Sequence, residues 1–135
     1  MVMNHCIVSI LKESLLFPTI DAAYFFGSRA AGKASTSSDY DIAILFNPQH
    51  IPNFEQQLEL RSQLEEALGT DVDLLILNNA PPIISMQAIN KGRLILDVDE
   101  LRRAFFIATL YSQYSELKEM RMPMEKNILK RKYYG

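Results

Sequence analysis

The chain carries apolar residues in two alternating periods. Over residues 4–16, Ile7, Ile10, Leu11 and Leu15 recur at helical spacing and Pro18 follows, which predicts a helix. Residues 22–27, Ala-Ala-Tyr-Phe-Phe-Gly, form an apolar run ending at glycine and predict a buried strand, with Tyr24, Phe25 and Phe26 in the core. Residues 28–38 are rich in Ser, Ala and Gly and predict a short helical turn followed by a loop.

A second strand is predicted over residues 40–46, closed by Asn47-Pro48. Residues 53–68 predict an amphipathic helix facing inward through Phe54, Leu58, Leu64 and Leu68, with Gly69 as its stop. Residues 71–77 predict a third strand, 82–91 a helix and 93–98 a fourth strand. Asp99 then caps a long helix that runs to about residue 121 and is broken by Pro123. On that helix Phe105, Phe106, Leu110, Tyr111, Tyr114 and Leu117 give a wide apolar face, most of it for packing within the domain, with docking of a partner as the alternative use of its excess width.

Strands alternating with helices predict an α/β (α+β) fold of about four strands with helices packed on a small sheet. The pattern alone leaves open whether the sheet is parallel or mixed. The 135 residues fit one domain, taken as 1–122 with 123–135 as its basic tail. Cys6 is the only cysteine, which excludes an intrachain disulfide and fits a reducing, cytoplasmic setting. No apolar run approaches the ~20 residues of a membrane span, and the opening Met-Val-Met-Asn-His has no basic segment of a secretory signal.

The formal net charge of −2 conceals an asymmetry. Residues 118–135 hold six Lys/Arg and two Glu, a net of +4, and leave −6 on the rest. A solvated end is the simplest use of that basic segment, and nothing in it predicts DNA binding. His5 and His50 are isolated and show no metal-ligand spacing.

The chemistry lies in Gly27-Ser28, ten further residues, and then Asp39-Tyr40-Asp41. Alternate strand residues share a face about 6.6 Å apart, so Asp39 and Asp41 project together and Tyr40 points away. Two carboxylates on one face repel unless a cation lies between them. Hard oxygen ligands suit Mg²⁺, which takes the rest of its shell from water and phosphate oxygens. In two-metal sites the ions lie about 3.5–4 Å apart, a span that such a pair and a third carboxylate can bridge.

Asp71 and Asp73 are the candidates for the third carboxylate. Asp73 is preferred, because it falls inside the apolar run 72–77, where an unpaired carboxylate is costly to bury. Asp71, at the strand's entrance, remains the alternative. Gly27 lets a phosphate approach the backbone, and Ser28 offers its hydroxyl and the free N–H groups of a helical turn. Arg29 or Lys33 would neutralise a triphosphate.

Gly27-Ser28-x₁₀-Asp39-x-Asp41, with a later strand Asp, resembles the signature of the DNA-polymerase-β-like nucleotidyltransferases. The likeness is densest over residues 24–46, continues through Asp73 and residues 82–96, and extends in outline over most of the chain. The short length looks like the minimal nucleotidyltransferase (MNT) branch, and within it the MntA-type antitoxins of HEPN–MNT toxin–antitoxin pairs.

The resemblance implies a polymerase-β-like fold with a small mixed sheet. It implies transfer of AMP from ATP to a tyrosine of a partner HEPN-type RNase toxin, within a complex of the two. It also implies that Ser28 holds the triphosphate, and that Asp39, Asp41 and Asp73 act in catalysis and hold Mg²⁺, two ions in all. Gly27 and Arg29 join the nucleotide-binding set on their own chemistry, since Arg29 is a variable position in the family. Two other functions fit the residues. One is nucleotidyl transfer to a small molecule such as an aminoglycoside, whose enzymes generally carry an added helical domain. The other is a nucleotide-binding module that blocks a toxin sterically without chemistry.

Overall fold

The computed structural model describes residues 2–27 and 39–134, with side-chain surroundings given from residue 5 to 118 within those segments. The elements are α1 (Val2–Glu13), a 3₁₀ turn (Phe17–Thr19), β1 (Ile20–Phe26), β2 (Tyr40–Phe46), α2 (Phe54–Leu68), β3 (Val72–Ile76), a second 3₁₀ turn (Leu77–Asn79), α3 (Pro82–Lys91), β4 (Arg93–Asp97) and α4 (Glu100–Tyr134). Among the described residues no helix is long and apolar enough to cross a membrane.

The strands form one sheet in the order β3-β2-β1-β4. β1 runs antiparallel to β2 and β4, and β2 runs parallel to β3, so the sheet is mixed. Side-chain alternation gives it two apolar faces. One packs Phe25, Tyr40, Ile42, Ile44 and Phe46 against Ile7, Leu11, Leu60 and Leu64 of α1 and α2. The other packs Ala22, Tyr24, Ala43 and Leu45 against Ala88 of α3 and Phe106 of α4.

Local chemistry fixes the ends of α2. Asn53 accepts the Gln56 N–H at 2.8 Å while the Gln56 side chain accepts the Asn53 N–H at 2.9 Å, a reciprocal capping box. At the other end Gly69 adopts φ 72°, the left-handed conformation that closes a helix, and its N–H bonds to Glu65 C=O. Asp99 caps α4 through the Arg102 N–H at 2.9 Å.

Three sequence expectations need correction. α1 ends at Glu13, and Leu15 lies beyond it in solvent. α2 turns Leu60 and Leu64 inward, while Phe54 and Leu58 are exposed. Residues 60, 64 and 68 fall within about 80° of one another at 100° per residue, whereas 54 and 58 lie 120° or more from Leu60. The third correction is that α4 continues through Pro123 to Tyr134. A proline removes one backbone donor, but Met, Glu, Lys and Leu on either side favour helix.

α4 is fastened to the sheet by two arginines that pattern reading did not single out. Arg102 makes a bidentate pair with the buried Asp21 of β1, both contacts at 2.8 Å. Arg103 pairs with Asp97 of β4 at 2.9 and 3.1 Å. Burial raises the Tyr24 hydroxyl above its usual pKa, and a hydrogen bond with Arg103 opposes that shift.

Candidate active site

The strand alternation places Asp41 on the α3/α4 side of the sheet and Tyr40 on the other, where the Tyr40 ring stacks on Phe25 with centroids 5.8 Å apart. In the parallel β2–β3 ladder, Asp41 stands opposite Asp73, Tyr40 opposite Val72 and Ile42 opposite Leu74. Asp39 lies just before β2 and is exposed. The Asp41 carboxyl is held above the usual carboxylate range, first by its partial burial, then by the charges of Asp73 and Asp39, and last by a hydrogen bond with Asp73.

Gly27 completes the group from the other neighbouring strand. β1 delivers it directly, because Phe26 is the partner of Asp41 in the antiparallel ladder. Gly27 has φ 83°, a region that side chains disfavour. A Cβ built there would overlap the Asp41 carboxylate and lie 2.8 Å from its Cγ. The backbone therefore turns directly against Asp41. Ser28, Arg29 and Lys33 lie outside the described residues.

The expectation that Asp73 is buried is not met: its side chain is exposed. β3 is an edge strand, so its second residue remains open to water. What distinguishes Asp73 from Asp71 is register. Asp73 lies opposite Asp41 and acts on its charge, whereas Asp71 precedes β3 and its C=O accepts the Tyr40 N–H at 3.1 Å.

The donor set suits a hard cation. Asp73 stands opposite Asp41 and, together with Asp39, disfavours a negative charge there, and carboxylate oxygens so grouped are hard donors. Among the described residues, no three acidic, histidine or cysteine side chains are already arranged as a metal cage. A divalent ion among these carboxylates would turn their repulsion into attraction. A separate cleft of about 510 Å³ lies between the Leu77–Asn79 turn, α3 and α4, with Ser85, Phe106 and Leu110 in its wall, and none of the three aspartates lines it.

Sequence reading also missed the residues that hold β3 in place. The Asn78 side chain bonds both backbone groups of Phe46, and Glu65 of α2 accepts the Val72 N–H at 3.2 Å. Their only signal is a polar residue flanking an apolar strand, too common a feature to pick out alone.

The chain is similar to characterised proteins along most of its length. Protein adenylyltransferase MntA of Shewanella oneidensis is 28% identical over 123 residues, covering 91% of this chain and 85% of that protein. A chain from a crystal structure of a toxin–antitoxin with AMP-PNP superposes with a TM-score of 0.78 at 25% identity, covering 93% of this chain and 98% of the other. A chain from the complex of tri-AMPylated Shewanella oneidensis HEPN toxin with MNT antitoxin superposes with a TM-score of 0.73 at 23% identity, covering 95% and 97% respectively. The family model for polymerase beta nucleotidyltransferases matches residues 6–101. With that match over most of its length, the chain belongs to the polymerase beta nucleotidyltransferase family.

Proposed function

We propose that this chain is an antitoxin that transfers AMP from ATP to a tyrosine hydroxyl of a partner HEPN-type RNase toxin and so silences it. The observation that carries the chemistry is the Asp41–Asp73 pair, in register on one face with Gly27 turned against it. The choice of AMP and of a toxin as acceptor is supported by the similarity to a protein adenylyltransferase and to toxin–antitoxin structures. Use of ATP and of an RNase toxin as acceptor supports a cytoplasmic setting. One domain carries the activity, and the basic segment from residue 123 is the end of its last helix.

Asp39, Asp41 and Asp73 would hold Mg²⁺, two ions in all, which when bound would neutralise charge building on the α-phosphate and leaving group. Gly27 lets the backbone close against the Asp41 carboxylate, and Ser28 and Arg29 would bind the triphosphate oxygens. Asp73, on the open edge of the sheet, faces the incoming acceptor and takes the proton from its hydroxyl. The acceptor oxygen bonds to the α-phosphorus, the bond from that phosphorus to its bridging oxygen breaks, and pyrophosphate departs with the electron pair.

A sterically blocking module would have no use for mutually repelling carboxylates, and such perturbed groups concentrate at catalytic sites. Co-expression separates the two readings. The wild-type chain should restore growth in cells making the HEPN protein encoded beside it, and Asp39→Asn/Asp41→Asn should not. Full protection by the double variant would support blocking without chemistry.

A further inference from the structure

β3 is a five-residue edge strand, paired only with β2. Its alternation puts Val72, Leu74 and Ile76 on one side and Asp73 and Leu75 on the other. Alternation specifies the face but not the register in steps of two. A slip of one residue would expose the core side chains, whereas a slip of two keeps every side chain on its own face. That second slip would carry Asp71 to the place opposite Asp41. Something at the strand ends must choose between the two aspartates.

The structure shows what that is. The β2–β3 ladder ends at Ile44 opposite Ile76, and β3 turns away into Leu77–Asn79 while β2 continues to the fully buried Phe46. On the β3 side the backbone N–H and C=O of Phe46 would then have no strand to meet. The Asn78 side chain takes its place: Oδ1 accepts the Phe46 N–H at 2.9 Å and Nδ2 donates to the Phe46 C=O at 2.8 Å. One primary amide thus mimics the missing peptide group and satisfies two buried polar atoms. In the slipped register Ile76 would sit opposite Phe46, and Asn78 would lie past the end of β2. At the entrance of β3, Tyr40 N–H to Asp71 C=O and Val72 N–H to Glu65 fix the same alignment, but each is a single bond.

We propose that Asn78 is a positioning residue for nucleotidyl transfer: its amide, clamped on Phe46, sets the register of β3 and so selects Asp73 over Asp71 as the carboxylate opposite Asp41. The role rests on the activity proposed above, but the clamp itself does not. Asn78 acts through the strand from the 3₁₀ turn that follows it, on the far side of Ile76 from Asp73.

The test joins hydrogen exchange to kinetics on the full chain. In Asn78→Ala, amides of residues 72–76 should exchange about tenfold or more faster than in wild type. Those of α1 should not change. With MgATP and the HEPN protein as acceptor, kcat should fall about tenfold while KM for ATP stays within about threefold. Asp71→Asn should leave wild-type kcat unaltered yet lower the residual kcat of Asn78→Ala, which a loss of stability alone would not produce. Asn78→Asp keeps the shape and one acceptor but turns the donor into a second acceptor, and should reproduce the direction of each change if Asn78→Ala does not fold. Unaltered exchange over β3 in both variants overturns the clamp. Faster exchange with wild-type kcat, or indifference to Asp71 in both backgrounds, overturns the positioning role. A wild-type chain that transfers nothing refutes the proposed activity, and with it that role, while exchange still decides the clamp.

Discussion

Asp41 and Asp73 stand opposite each other in the parallel β2–β3 ladder, and the charge of Asp73 helps hold the Asp41 carboxyl above the usual carboxylate range. A site built this way stores repulsion that a bound cation would release.

Stability should therefore respond to pH in a definite sense. A carboxyl with a raised folded-state pKa binds its proton more tightly when folded. Its ionisation costs stability as pH climbs from the unfolded value, about 3.9, through the folded one, and the cost persists above. Without metal, Asp41→Asn should melt above wild type at pH 7, and the gap should close below about pH 4. Mg²⁺ should raise the wild-type midpoint more than the variant's. Coincident melting curves at both pH values, with and without Mg²⁺, would count against a strained carboxylate pair.

Gly27 makes a separate prediction. Alanine there meets both an unfavourable φ and the Asp41 carboxylate. Gly27→Ala should cost about 1–2 kcal/mol from the backbone alone. It should also displace Asp41 and lower kcat by at least about tenfold. Urea melts and steady-state kinetics on one preparation separate the two effects. A variant with unchanged kcat would show that the turn need not sit against Asp41.

The corrected face of α2 can be checked by truncation. Leu64→Ala should cost about 2–5 kcal/mol, as for a fully buried leucine. Leu58→Ala, on the exposed side, should stay within about 0.5 kcal/mol of wild type. Equal losses in denaturant titrations would restore the face expected from the sequence.

The Asp21–Arg102 pair governs how α4 seats on the sheet. Removing Arg102 strands a carboxylate that is 1% exposed, so Arg102→Leu should lower the melting temperature more than the double change Asp21→Asn/Arg102→Leu. The opposite order would mean that Asp21 does not depend on its partner.

The elements were largely legible because each strand is a short apolar run with clear punctuation. Tyr40–Phe46 and Pro82–Lys91 coincide with the expected 40–46 and 82–91. The projection of Asp41 away from Tyr40 followed from alternation alone. The inward face of α2 was not legible, because Phe54 and Leu58 are apolar without being buried. Nor was the basis for favouring Asp73, because the apolar run around it points to burial whereas the structure supplies register instead. Register depends on the side chain of Asn78 meeting a backbone 32 residues away, and no local pattern encodes that meeting. The Asp21–Arg102 pair was hidden for the same reason: its two residues are 81 apart.

The most direct test of the account is the intact mass of the HEPN protein after incubation with this chain and MgATP. We predict AMP-sized increments on the toxin with the wild-type chain, none with Asp39→Asn/Asp41→Asn, and loss of RNase activity only where the increments appear. An unmodified toxin silenced equally well by both chains would contradict it.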